Sequence, residues 1–147
     1  MQSRFRRDKH LSYPITVWVN GTFDVLHAGH IKLFRHAKML AGVDGKVICG
    51  IDVDERISSK KGPSRPINTL TDRMLVLMSI KHIDHVIPFA TDQQLSSIIA
   101  SYTPDYMVIG DDYRDKPIIG SEFIKEIIYV ERDDNSSTRI INELNLD

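Results

Sequence analysis

The sequence predicts an α/β fold, a doubly wound five-stranded parallel sheet with helices on both faces. Two observations carry this: five short apolar runs rich in β-branched residues and, between them, segments whose apolar residues recur at helical spacing. Strands that are apolar throughout, rather than alternating, belong in a sheet covered on both sides, and intervening helices join them through right-handed crossovers. At 147 residues the chain has the length of one ordinary domain, enough to bury about two thirds of its unfolded surface.

The elements follow in order. Residues 1–13 carry Arg4, Arg6, Arg7 and Lys9 without the apolar stretch of a secretory signal, so they read as a flexible basic arm preceding a single domain over 14–147. Residues 15–20, with Val17, Trp18 and Val19, form β1 and end at Gly21. Ile31, Phe34, Met39 and Leu40 mark a helix over 29–40 that Gly42 stops. A second buried strand covers 46–51, and a long polar stretch from Asp52 to Asn68 reads as a functional loop. Thr71 opens a helix carrying Met74, Leu75, Leu77, Met78 and Ile80, followed by a strand over 85–89. Asp92 is the expected cap of a helix over 93–100. Residues 106–109 and 127–130 form the last two strands, with Ser121 capping a short helix between them and Ser137 opening a C-terminal helix. In such a sheet the ligand crevice lies beyond the carboxyl ends of the strands, where the turns after β1, β2, β4 and β5 emerge.

Composition narrows the chemistry. A formal net charge of -1 gives no cationic field for nucleic acid, and no apolar run approaches a membrane span. The single cysteine, Cys49, excludes an internal disulfide and any multi-cysteine metal site, fits a cytoplasmic, reducing compartment, and belongs to the core among Val47, Ile48 and Ile51.

After β1 the sequence reads Gly21-Thr22-Phe23-Asp24-Val25-Leu26-His27-Ala28-Gly29-His30. At the start of a helix His27 and His30 share a face, Gly29 lets backbone approach closely, and the exposed amides favour an anion. Both imidazoles can therefore meet one phosphate. A zinc pair or an ordinary surface role stays open on these residues alone.

This decapeptide resembles the signature of the cytidylyltransferase-like nucleotidyltransferases, a His-x-Gly-His after the first strand. A second block, residues 132–141 from Arg132 to Ile141, resembles that family's Ser-Thr motif. The resemblance implies a Rossmann-like, HUP-type fold and attack by a substrate phosphate on the α-phosphorus of a nucleoside triphosphate. It implies catalytic roles for His27, His30, Lys61 and Arg73, with Lys61 a mobile cation over the reacting phosphates. Gly21, Thr22, Phe23, Asp24, Gly29, Gly110, Asp111, Asp112, Arg132, Ser137 and Thr138 would bind the nucleotide. Asp24 has a second reading as a cap of the first helix, and Lys60 and Asp54 are further candidates. Mg2+ would arrive on the phosphates, with no protein metal site.

Between the motifs, Lys61-Gly62-Pro63-Ser64-Arg65-Pro66-Ile67-Asn68 and Arg73-Met74 resemble the adenylyltransferases that make ADP-heptose. Pro104-Asp105, Tyr113 and Ile119-Gly120-Ser121-Glu122 are similar to the same group. That implies ATP and a sugar 1-phosphate such as heptose 1-phosphate, already phosphorylated because the kinase domain fused to many heptose enzymes has no counterpart here. Asp111, Asn135 and Ser136 depart from that group. The alternatives are a CTP-dependent glycerol-3-phosphate cytidylyltransferase and, more remotely, a non-catalytic nucleotide-binding module. Members of the family often dimerise, which implies a homodimer.

Overall fold

The computed structural model describes residues 14–131 and 141–144. It contains β1 (Thr16–Gly21), α1 (Ala28–Ala41), β2 (Lys46–Asp52), α2 (Asp54–Lys61), α3 (Leu70–Met78), β3 (His85–Phe89), α4 (Asp92–Tyr102), β4 (Tyr106–Gly110) and β5 (Glu126–Val130), with single 3-10 turns at Asp111–Tyr113 and Ser121–Phe123. The strands form one parallel sheet in the order β3-β2-β1-β4-β5. The chain therefore winds outward from β1 to one side and returns to wind outward on the other, which puts the topological switch point between β1 and β4.

Period-two alternation sorts each buried strand between two cores. Val17 and Val19 of β1, with Val47, Cys49 and Ile51 of β2, face Phe34, Ala37 and Ala41 of α1 and Leu77 of α3. Trp18, Ile48 and Met107 face the other way, onto Leu95 and Ile99 of α4. Trp18 is wholly buried and donates its indole N–H to Asn20 Oδ1 at 2.7 Å. Its ring lies over β2 so closely that a Cβ at Gly50 would come within 2.7 Å of it, which is why a glycine interrupts that apolar strand.

The amino ends of the strands are clipped twice by the same device. Asp84, just before β3, accepts the Val47 amide at 2.8 Å and the Lys38 ammonium at 3.1 Å. Asp105, just before β4, accepts the Thr16 amide and the Lys125 ammonium, both at 2.9 Å. At the other end the sheet opens. β1 pairs with β2 through Gly21 and Ile51, but its pairing with β4 stops at Trp18 and Met107.

The doubly wound sheet is as expected, while four local expectations change. The stretch from Asp52 to Asn68 contains α2, which shows no apolar period because Ile57 is its single buried residue. Asp54 and Glu55 in its first turn and Lys60 and Lys61 in its last complement the helix dipole instead. Thr91, not Asp92, caps α4, its hydroxyl accepting the Gln94 amide at 3.0 Å, because Asp92 is turned to the Arg56 guanidinium at 2.7 Å. The helix expected from Ser121 is a single 3-10 turn, and Ile124 is already extended towards β5. Asp24 does not cap α1, a place that His27 takes. Residues 141–143 are helical, but the expected start at Ser137 and the arm over 1–13 lie outside the described residues.

Candidate functional site

An open crevice of about 840 Å³ lies over the parted carboxyl ends of β1 and β4, within the range of small-molecule sites. The start of α1 projects into it. His27 is the N-cap, its Nδ1 accepting the Gly29 amide at 3.0 Å, and Nδ1 of His30 accepts the His27 amide at 3.2 Å. Two imidazoles thus make a reciprocal capping box, the device usually built from a hydroxyl and a carboxylate. Their rings lie 4.0 Å apart between centroids. With Nδ1 accepting in both, the ring proton of each neutral imidazole sits on Nε2, and both present that N–H as a donor.

The turn before the helix is strained and held. Phe23 is buried with a φ of 48°, a conformation that non-glycine residues rarely adopt. Edge contacts to Phe34 at 5.1 Å and His30 at 5.5 Å fix it. Asp24, only 4% exposed, accepts the amides of Ile67 at 2.7 Å and Asn68 at 2.8 Å and the Arg65 Nε at 3.3 Å. The Asn68 side chain returns a bond of 2.6 Å to the Asp24 carbonyl. Asp24 is therefore the peg on which the segment after α2 hangs.

Arg73 is 1% exposed and ties three loops together. It donates to the carbonyls of Asn68 at 3.0 Å, Thr22 at 3.0 Å and Asp52 at 2.8 Å, and pairs with Asp54 at 2.6 Å. Neither Arg73 nor Asp54 lines the crevice. Asp52, at the end of β2, accepts the Thr22 hydroxyl and the Arg56 Nε, both at 3.2 Å.

Lys60 and Lys61, expected on a mobile loop, stand on the last turn of α2 and line the crevice. Burial, then the like charge of Arg65, holds the Lys61 ammonium below the usual lysine range, against the pull of Asp24 and Asp52. On the opposite side Gly110 and Asp112 line the crevice, while Asp111 turns out to pair with Arg114 at 2.7 Å.

Gly21, Thr22, Phe23, Asp24, His27, Gly29, His30, Lys60, Lys61, Gly110 and Asp112 are thus gathered around one opening. Arg132, Ser137 and Thr138 lie outside the described residues. Arg65, Arg56 and Asp52 also line the crevice and were missed as site residues. The signal for Arg65 lies in the Arg-Pro-Ile-Asn segment; for Arg56 and Asp52 the sequence offers only their place in the polar stretch from Asp52 to Asn68.

The family profile described as cytidylyltransferase-like matches residues 18–143. The bifunctional protein HldE of Helicobacter hepaticus is 36% identical over 142 residues, 97% of this chain and 29% of that protein. The bifunctional protein HldE of Edwardsiella ictaluri is 40% identical over 128 residues, 87% of this chain and 24% of that protein. The chain thus spans between 24% and 29% of the length of these relatives. Among solved structures, the lipopolysaccharide core biosynthesis protein of Thermoplasma volcanium superposes with a TM-score of 0.65 at 22% identity, over 83% of this chain and 100% of that one. At that identity the likeness concerns the fold.

Proposed function

This chain belongs to the cytidylyltransferase-like family, and from that premise we propose that it is a nucleotidyltransferase joining ATP to a sugar 1-phosphate. A phosphate oxygen of the acceptor attacks the α-phosphorus of the nucleotide; the new P–O bond forms as the bond to the β-phosphate breaks, and pyrophosphate leaves with the electron pair. Charge spreads over the phosphoryl oxygens in such a transfer, so positioned donors and cations are what the protein supplies.

The observation that carries this reading is the histidine capping box at the mouth of α1. It brings two imidazoles and a helix N-terminus together on the wall of one crevice. Lys61, from the last turn of α2, adds positive charge where negative charge accumulates. The turn at Gly110 and Asp112 borders the nucleoside, Ser137 and Thr138 take the outer phosphates, and Arg132 belongs to the same nucleotide-binding set. Mg2+ accompanies the triphosphate and neutralises part of its charge. Arg73 acts as a positioning residue, holding the loops after β1 and β2 in register.

Heptose 1-phosphate is the acceptor that the segment 61–68 supports, and the matched HldE proteins support the same subgroup. A homodimer working in the cytoplasm completes the proposal. Pyrophosphate release, read through added pyrophosphatase, tests it with ATP or CTP against heptose 1-phosphate or glycerol 3-phosphate. ATP with heptose 1-phosphate is expected to turn over fastest. Preference for CTP with glycerol 3-phosphate would replace the substrates, and silence with every pair would remove the catalytic reading in favour of a nucleotide-binding module.

A further inference from the structure

Arg65 is 5% exposed, yet only part of its guanidinium is satisfied. Its Nε reaches Asp24 Oδ2 at 3.3 Å, the longest of the bonds to that carboxylate, whose two oxygens already accept the Ile67 and Asn68 amides. Its Nη2 is buried with no hydrogen-bond partner, the one such side-chain nitrogen or oxygen among the described residues. A buried charged donor without an acceptor is costly, and a planar guanidinium fits the oxygens of a phosphate two at a time.

The surroundings point the same way. Lys61 and Arg65 flank the turn at Gly62, where the Arg65 amide bonds the Gly62 carbonyl at 3.2 Å, and both line the crevice. Their mutual repulsion already bears on Lys61, and an anion between them would relieve it. The two stand on the β2 side of the crevice, away from the Gly110 and Asp112 turn after β4, with the histidine box between.

We propose that Arg65, with Lys61 beside it, forms a subsite for the phosphate dianion of the acceptor substrate. The subsite is separate from the imidazole and amide donors at the start of α1. This rests on the reading of the crevice as a nucleotidyl-transfer site, with the nucleoside on the β4 side. A phosphate held there is oriented by two cations on the β2 side and is partly relieved of its charge, which eases its approach to the polyanionic nucleotide.

The test compares the full chain with Arg65→Gln and Arg65→Lys by two readouts. In steady-state turnover, Arg65→Gln should raise the KM for the sugar phosphate about tenfold or more while leaving the KM for ATP within about twofold. Arg65→Lys should fall between, keeping the charge but losing the fork. In thermal melts without turnover, inorganic phosphate should raise the Tm of the wild type clearly more than that of Arg65→Gln, which keeps only the donors at the start of α1, while ATP raises both alike. An unchanged phosphate response in Arg65→Gln, no response in the wild type, or an equal rise in the KM for ATP would overturn the proposal. If the wild type turns over no substrate pair, the catalytic reading falls and the phosphate melts still decide the subsite. If Arg65→Gln does not fold, the same comparisons are made with Arg65→Lys.

Discussion

His27 and His30 do two jobs with opposite ends of one ring. Nδ1 of each accepts a backbone amide, which fixes the ring and leaves Nε2 for other partners, and both residues line the crevice. In the proposed transfer they would serve as oriented donors, with Lys61 and Arg65 supplying positive charge. His30→Ala is accordingly expected to lower kcat/KM by about 100-fold or more, with a loss of about 1 kcal/mol in stability from the missing cap. Kinetics and chemical denaturation on the same preparation separate the two effects; near-normal turnover would remove the donor role. Cys49 makes a different prediction. It is fully buried in β2, and that burial pushes its thiol up, far from the thiolate that reacts. Thiol reagents should leave the native protein unmodified and label one site after denaturation, whereas rapid native labelling would contradict the packing.

At the scale of elements, what could be read in the sequence was what repeats. The strands were legible because Val17, Val19, Val47 and Ile51 are apolar wherever the sheet is covered; α1 was legible as a helix from Ile31, Phe34, Met39 and Leu40, but its buried face is Phe34, Ala37 and Ala41, with Ile31 and Met39 exposed. Short α2, with Ile57 alone buried, offers no period to detect. Asp24 and Arg73 show what a local pattern leaves out. Both stand at motif positions suited to substrate, yet each is occupied by backbone groups from loops more than 20 residues away, a pairing that no local pattern encodes. Removing Arg73 strands the carbonyls of Thr22, Asp52 and Asn68. Arg73→Ala should therefore destabilise the fold by about 3 kcal/mol, seen as a lower urea midpoint. A variant of wild-type stability that had lost only catalysis would return Arg73 to the substrate.

Across the whole molecule, the two aspartate clips hold the amino ends of the sheet while the carboxyl ends part. Burial pushes the Asp84 carboxyl up, but the Val47 amide, the Lys38 ammonium and the charge of His85 outweigh it and hold the group below the usual carboxylate range. A carboxylate depressed in the folded state stabilises fully above its unfolded value, near 3.8, and loses that contribution as pH falls through the folded one. The stability gap between wild type and Asp84→Asn should be widest at neutral pH and close on acidification below about pH 4. Urea midpoints across that range check it; a gap that widens in acid would reverse the sign. The parted end has a mechanical meaning of its own. Because β1 and β4 share only two paired positions, Val17 with Tyr106 and Trp18 with Met107, the sheet is two stiff plates, β3-β2-β1 and β4-β5, stitched by a short seam. Under the proposed function a substrate bound above that seam would work as a splint, so amide exchange at the seam should slow when both substrates are bound.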